Sequence, residues 1–223
     1  MSAVRSVTGA SLLIVAALLM ALVGCGTDAV PATGTEAGTS TTTSSGTTTS
    51  TDTSIPVLEP VVTPTLPAVL PGYSEADPLT GLHVTGTPQV VDVISYRLRV
   101  FGKVAKELSL SYDEIRTMPK ISARPKLDCP GEFVDVATWA GVPLRAILEL
   151  AVPQPGAVSL VMNGADGYST VVSLEDALQP QNFLAYELEG ETLPALHGFP
   201  LRAVFPGRYG AYWVKWLLTI EVK

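Results

Sequence analysis

The sequence predicts an α+β domain, rich in β-strands and carrying only short helices, behind a disordered tether. Three observations lead there. From about Val90 onward, strand-like segments of period two alternate with short amphipathic helical patterns. None of those helical patterns is long enough to serve as a regular βαβ crossover, which argues against a doubly wound parallel sheet. Residues 27–54 are Thr, Ser and Gly with almost nothing large and apolar, so that stretch has no core of its own to bury.

Taken in order, the chain opens with a single charge, Arg5, followed by the unbroken apolar run Leu12 to Val23. That run falls short of the roughly 20 residues a helix needs to cross a hydrocarbon core, and the layout is that of a signal peptide. Leu22-Val23-Gly24-Cys25 resembles the lipobox of bacterial lipoproteins, in which small residues admit the signal peptidase and the cysteine thiol receives a diacylglycerol. Acyl chains contribute about 0.8 kcal/mol per buried CH₂, so a multiply acylated Cys25 holds a domain on a membrane without spanning it. The expected organisation is therefore a signal peptide over residues 1–24, a lipidated cysteine and tether over 25–89, and a folded domain over 90–223. The expected location is the extracytoplasmic face of the bacterial cell membrane. Recurring prolines between Pro56 and Pro71 make the later part of the tether an extended spacer.

In the folded part, Tyr96, Leu98 and Val100 alternate with Arg97 and Arg99 as in a half-buried strand closed by Gly102. Ser111-Tyr112-Asp113-Glu114 reads as a capping box opening a short helix that Pro119 ends. Phe133 to Trp139 is strand-like, and Gly141-Val142-Pro143 places a proline in the first turn of a helix whose apolar face is Leu144, Ile147 and Leu148. Val158 to Met162 and Tyr168 to Val172 are strands expected to join at an Asn163-Gly164 turn, with Ser173 capping a further short helix. Phe183 to Leu188, Leu201 to Phe205 and Trp213 to Val222 complete the strands.

Charge and motifs exclude several function classes. The chain carries 21 acidic and 14 basic residues, a net charge of −7. Most of that excess sits ahead of Val90, and the rest of the chain has no basic footprint for nucleic acid. There is no G-x-S-x-G elbow, H-E-x-x-H pair, Walker loop or dinucleotide fingerprint, and only two histidines, His83 and His197. Two cysteines exist. If Cys25 is acylated, Cys129 has no intramolecular partner, and a lone thiol in an exported protein is either reactive, metal-binding or a buried inert side chain. The remaining concentration of chemistry is His197-Gly198-Phe199-Pro200-Leu201-Arg202, Pro206-Gly207-Arg208-Tyr209-Gly210 and Trp213-Val214-Lys215-Trp216. There cations stand beside glycine-rich turns able to hold an anionic phosphate.

At these residues, and at Tyr96-Arg97-Leu98, Trp139-Ala140-Gly141-Val142-Pro143-Leu144 and Leu184-Ala185-Tyr186-Glu187, the chain resembles the oxidoreductase molybdopterin-binding family. That family includes sulfite oxidases, assimilatory-type nitrate reductases and the molybdopterin subunit of periplasmic methionine sulfoxide reductases. The resemblance implies a sulfite-oxidase-like molybdopterin-binding fold with a molybdenum-molybdopterin cofactor. It puts Cys129 at the molybdenum-binding and catalytic thiolate, and His197 and Arg202 on the pterin. It also puts Trp213, Val214 and Lys215 along the cofactor, and Asp166 at an acid that meets the pterin. By residue type alone, His197 is also a solvent-facing turn residue, Arg202 and Lys215 the polar face of half-exposed strands, and Trp213 plain core. Pro206-Gly207-Arg208-Tyr209-Gly210 is a good turn whether or not Arg208 and Tyr209 face substrate.

The implied function is oxygen-atom transfer on a small-molecule substrate by a membrane-tethered molybdopterin-dependent oxidoreductase, with an unidentified redox partner and no nucleic acid. The competing expectation is a cofactor-free binding or scaffold lipoprotein that keeps the fold. Three departures from the family pattern bear on this choice. Its oxidases carry an Arg-Asn-His element before the first strand, where this chain has only His83, and arginine soon after the cysteine, where it has Pro130-Gly131-Glu132-Phe133. A dianion such as sulfite wants a cationic pocket and is therefore not the expected substrate. No second, dimerising domain and no haem motif is read in the chain. Cofactor-loaded proteins leave the cytoplasm folded by the twin-arginine route, and this signal has one arginine, so loading outside the cytoplasm is the condition for an enzyme.

Cys25→Ser is expected to release the domain to the soluble fraction or leave the precursor uncleaved, checked by fractionation and N-terminal sequencing. A processed, membrane-bound variant would remove the lipobox reading.

Overall fold

The computed structural model describes residues 58–223. The signal peptide, Cys25 and the Thr/Ser/Gly run to Ser54 lie outside the described residues. Leu98 and Val100 are fully buried while Arg97 and Arg99 face solvent, the alternation their spacing predicts. In chain order the elements are β1 (Glu75–Ala76), β2 (His83–Val84), β3 (Leu98–Gly102), β4 (Leu108–Leu110), α1 (Tyr112–Arg116), β5 (Ile121–Ala123), β6 (Lys126–Cys129), β7 (Phe133–Val136) and β8 (Trp139–Pro143). There follow α2 (Leu144–Ala151), β9 (Ser159–Gly164), β10 (Ser169–Ser173), α3 (Leu174–Ala177), β11 (Phe183–Leu188), β12 (Glu191–Thr192), β13 (Arg202–Val204) and β14 (Leu217–Val222). The α+β, β-rich class holds.

Two larger sheets share the core. One has the order β10-β9-β14-β3-β4, antiparallel except for the parallel pair β14 and β3. The other runs β12-β11-β8-β5, with β13 also pairing β11. Two hairpins, β1-β2 and β6-β7, stand apart from them. α1 forms where the capping box is complete: Ser111 Oγ accepts the Glu114 N–H at 3.2 Å and Glu114 Oε2 accepts the Ser111 N–H at 2.7 Å. α2 buries Leu144, Ile147, Leu148 and Ala151 on one face and carries the Arg145–Glu149 pair on the other.

Several boundaries differ from the sequence expectation, each for a tertiary reason. Folded structure starts before Val90, because Asp77, Leu82 and Val84 are buried and β1-β2 already packs on the domain. Phe133 to Trp139 is not one strand. The chain breaks at Ala137-Thr138, where the Thr138 N–H and carbonyl both bond to Glu189, and passes from the β6-β7 hairpin into the second sheet. Pro143 ends β8, paired with Phe183 and with an extended ψ of 129°, instead of opening α2. Asn163 and Gly164 are not the turn: β14 holds both in β9, Asn163 Nδ2 donates to Thr219 Oγ1, and the reversal falls on Ala165-Asp166-Gly167. β14 begins only at Leu217, because Trp216 takes a left-handed φ of 49° and breaks the ladder.

Close packing of β8 on β11 depends on one missing side chain. A Cβ at Gly141 would stand 1.9 Å from the Leu184 carbonyl oxygen and 2.6 Å from Ala185 Cα, both backbone atoms that cannot turn aside. Overpacking a rigid core costs about 1–3 kcal/mol and occasionally more. Gly141→Ala is expected to lie at or above the top of that range, read as a fall in the urea midpoint at unchanged slope.

Candidate molybdopterin site

Cys129 ends β6 opposite Phe133, at the tip of the β6-β7 hairpin, where Pro130-Gly131-Glu132 turns the chain. The stretch after Pro206 runs beside it through a bridge between Asp128 and Tyr209. That approach is close enough that a Cβ at Gly210 would meet Cys129 Sγ at 2.4 Å. The sulfur is therefore seated against bare backbone. It opens into a cleft of about 420 Å³ lined also by Thr85, Glu132, Asp166, Trp213 and Lys215, with Tyr73, Tyr168 and Tyr209 among its aromatic walls.

Four of the expected site residues, Cys129, Asp166, Trp213 and Lys215, thus meet in one cleft although they come from separate elements. Asp166 stands in the β9-β10 turn, where its Oδ1 accepts the Tyr168 N–H at 3.1 Å. Trp213 is buried, its Nε1 donating to the carbonyls of Phe205 and Arg208. Lys215 is directed inward by the kink at Trp216: its ammonium donates to the Thr85 and Leu196 carbonyls and lies 4.5 Å from the Trp216 ring centroid. His197 and Arg202 are not on the cleft wall. Both are buried, which removes the solvent-facing readings of these two residues and of Lys215. Val214 is a core side chain whose carbonyl accepts the Ala203 N–H; it does not line the cleft. Arg208 pairs with Asp176 at the surface, away from Cys129.

Arg202 lies on β13 against two indoles that pack edge to face on each other, its guanidinium carbon 4.7 Å from the Trp139 ring centroid and 5.7 Å from that of Trp213. Nη1 donates to the His197 carbonyl at 3.2 Å, and Nε has no partner among the described residues. Burial lowers its pKa to about 10, with Cys129 and Asp135 pulling the other way, so it remains a cation at neutral pH. Burial, helped by Arg202, brings Lys215 down to about 7 against the pull of Asp166 and Cys129. Burial also raises the Cys129 thiol, opposed by Arg202 and reinforced by Asp135, Asp128 and Glu132. The largest departure from the sequence reading is His197. Burial and the Arg202 charge push it down to about 4 despite its bond to Asp77, so it is neutral at pH 7 and adds no positive charge to the site.

The donor set fits a molybdopterin held by a chain that supplies one thiol. Among the described residues no three His, Cys, Asp or Glu side chains converge on a metal position, so Cys129 can bind a metal only if other ligands come with the cofactor. Behind the cleft wall, Arg202 Nε and His197 Nδ1 are buried without a partner among the described residues.

Residues 84–223 match the oxidoreductase molybdopterin binding domain family. The chain belongs to that family. Among curated relatives it is 31% identical over 141 residues to the uncharacterized oxidoreductase YuiH of Bacillus subtilis, covering 63% of this chain and 71% of that protein. It is 31% identical over 163 residues to human mitochondrial sulfite oxidase, covering 60% of this chain and 30% of that one. Among solved structures, the sulfane dehydrogenase SoxCD of Paracoccus pantotrophus superposes with a TM-score of 0.57 at 21% identity, over 75% of this chain and 53% of that chain, a likeness of fold. The chain thus spans about half or less of the last two proteins. The family is one of oxidoreductases, and its cofactor is molybdenum-molybdopterin.

Sequence reading missed the contribution of the segment before Val90. Tyr73, Thr85 and Gly86 line the cleft, and Asp77 and Thr80 contact His197. The one local signal was Asp77-Pro78-Leu79-Thr80-Gly81, a turn sequence buried in a stretch rich in proline.

Because the folded pKa of His197 lies below the ordinary 6.5, the unfolded chain binds more protons than the folded one between pH 6.5 and about 4, and stability falls as pH drops through that window. The thermal midpoint of the cofactor-free protein is expected to fall over that range. In His197→Gln the slope should be visibly shallower, measured by calorimetry at a series of pH values.

Proposed function

We propose that this family member is a lipid-anchored oxidoreductase outside the cytoplasm that transfers an oxygen atom to or from a small molecule at Cys129. The observation that carries this reading is the cleft itself, where the single thiol of the described domain faces Lys215, Trp213 and Asp166 with the Arg202 cation immediately behind. In it Cys129 is the metal ligand, and Asp166, His197, Arg202, Trp213 and Lys215 bind or support the pterin. Bound there, the molybdenum cofactor supplies two-electron oxygen-atom exchange. Cys129 would hold the metal as a thiolate, the form that the Arg202 charge favours. Lys215, the cation on the cleft wall, holds anionic oxygen atoms of the cofactor, and an anion there draws it back toward the fully charged form. Trp213 and Trp139 keep water from the guanidinium behind the cleft.

The cleft also constrains the substrate. Glu132 and Asp166 line it together with Tyr73, Tyr168 and Tyr209, an acidic and aromatic wall that repels a dianion and accepts a neutral or dipolar molecule. Sulfite is disfavoured on this ground. A redox partner takes up or supplies the electron pair, and the acyl chains on Cys25 keep the domain at the membrane where such a partner can be reached.

The test is the molybdenum and pterin content of the full-length protein purified from its native membrane, beside Cys129→Ser. Serine replaces a soft thiolate by a hydroxyl that stays protonated, at almost constant volume. We expect stoichiometric metal in the unaltered protein. In the variant we expect loss of the thiolate charge-transfer absorption and of turnover, with the thermal midpoint nearly unchanged. Full turnover and an unchanged spectrum in Cys129→Ser would show that the thiol is inert.

A further inference from the structure

Cys129 is carried by a part of the fold that neither large sheet holds. β6 and β7 form a sheet of two, and the chain enters and leaves this hairpin through irregular backbone at Arg124-Pro125 and Ala137-Thr138. A two-stranded hairpin alone is marginally stable in water, so the place of its tip, and of the thiol there, depends on tertiary contacts. Its base is tied at the surface, where Glu189 Oε1 accepts from Arg124 Nη1 at 3.0 Å and from the Thr138 N–H at 2.9 Å. Its tip meets the later chain at the bridge between Asp128 and Tyr209. Between the two, Leu127 stands opposite Asp135 and Cys129 opposite Phe133, so these four share the inner face, while Val134 and Val136 are exposed on the other.

Asp135 is the one charged side chain on that inner face, it is buried, and β2 meets it from outside the hairpin. Oδ2 accepts the His83 N–H at 2.8 Å, and Oδ1 lies 2.7 Å from His83 Nδ1. A carboxylate offers only lone pairs, so the ring nitrogen is the donor. The imidazole lies flat on Phe133, the ring centroids 4.4 Å apart and the planes within 8°. Leu82 and Val84, on either side of His83, are buried, which makes β2 a fixed support. His83 stands just ahead of Val84, where the family match begins, so this contact joins the matched domain to the segment before it.

We propose that His83 and Asp135 are positioning residues that clamp the β6-β7 hairpin to β2 and thereby hold Cys129 at the cleft, its sulfur seated against Gly210. That the thiol held there is a metal ligand rests on the function proposed above; the clamp itself does not. Without the ring donor, a buried carboxylate is left half-paired, a state more costly than the missing bond alone. Swinging the hairpin toward water relieves it without breaking either large sheet, and Cys129 moves with the hairpin.

The experiment uses the full-length lipidated protein in detergent without added cofactor. Hydrogen exchange is followed along the chain, and iodoacetamide labelling of Cys129 at one pH is read from the mass of its peptide. His83→Phe keeps a flat ring for Phe133 but deletes the donor to Asp135. His83→Asn gives up the ring but keeps an amide donor close to the place of Nδ1. In His83→Phe the paired amides of β6 and β7 are expected to exchange about tenfold faster, the change that corresponds to one hydrogen bond to a charged group. The β8-β11 amides should be unmoved and Cys129 should be alkylated faster. His83→Asn should stay close to the unaltered protein in both readouts. Asp135→Ala should loosen the same amides, and adding His83→Phe to it should loosen them no further, because both substitutions open one joint. Faster exchange throughout the domain, a hairpin or a thiol indifferent to His83→Phe, His83→Asn as loose as His83→Phe, or additive loosening in the double variant would each overturn the proposal. The His83 side chain is 30% exposed, so its two variants keep the fold and decide the matter even if Asp135→Ala does not fold. Neither readout needs bound metal. A clamped hairpin in protein that never takes up molybdenum defeats the proposed function alone, whereas molybdenum-loaded protein whose hairpin ignores His83 defeats this inference alone.

Discussion

A cation buried against a pair of indoles is the constraint around which the site is organised. Arg202 is 5% exposed and forms no ion pair among the described residues; its compensation comes from the faces of Trp139 and Trp213 and from one carbonyl. Removing a charge from water without a counter-ion costs several kcal/mol after relaxation, and π faces return only about 2 kcal/mol or so. A fold that keeps such a group gains when negative charge is placed nearby. The nearest sources in the chain are Asp135 and, once deprotonated, Cys129. A Cys129 thiolate and the Arg202 guanidinium would stabilise one another, and the two tryptophans hold the cation where that coupling includes Cys129.

The same constraint orders the other ionisable groups. With Arg202 fixed nearby, a charged His197 would be a second buried cation, and the fold instead keeps the ring neutral, its Nε2 lying 3.0 Å from Asp77 Oδ2 and 2.7 Å from Thr80 Oγ1. Lys215 feels the same repulsion but reaches the cleft, where Asp166 offsets part of it, and its pKa comes down to about 7. The positive charge that a phosphate or an oxo group would meet is therefore graded: permanent at Arg202, conditional at Lys215 and absent at His197. Around the mouth, Glu132 reverses the sign, so the cleft attracts anionic cofactor groups at its floor and discourages dianionic substrates at its entrance.

Element by element, local signals were legible wherever neighbours in sequence settle the matter. The Leu98 and Val100 alternation, the Ser111 capping box and the apolar face of α2 depend on contacts a few residues long, and they appear as read. The boundaries that moved did so because of distant partners. Glu189 splits the Phe133 to Trp139 segment, β14 draws Asn163 and Gly164 into a strand, and the left-handed turn at Trp216 delays β14. Residue type also marked Cys129, His197, Arg202 and Lys215, a lone thiol and basic groups beside glycine-rich turns, whereas Trp213 and Asp166 stood out only through the family resemblance.

The sequence by itself determined the class of fold, the family resemblance and the inventory of groups from which a molybdopterin site could be made. Tertiary structure alone decided which of those groups share a space and in what protonation state. Val214 went to the core, Arg208 to the surface with Asp176, and His197 to a buried, neutral position against a hairpin more than a hundred residues away in sequence. Burial and through-space charge set these outcomes. Both depend on long-range packing, and neither is encoded in the spacing of residues along the chain.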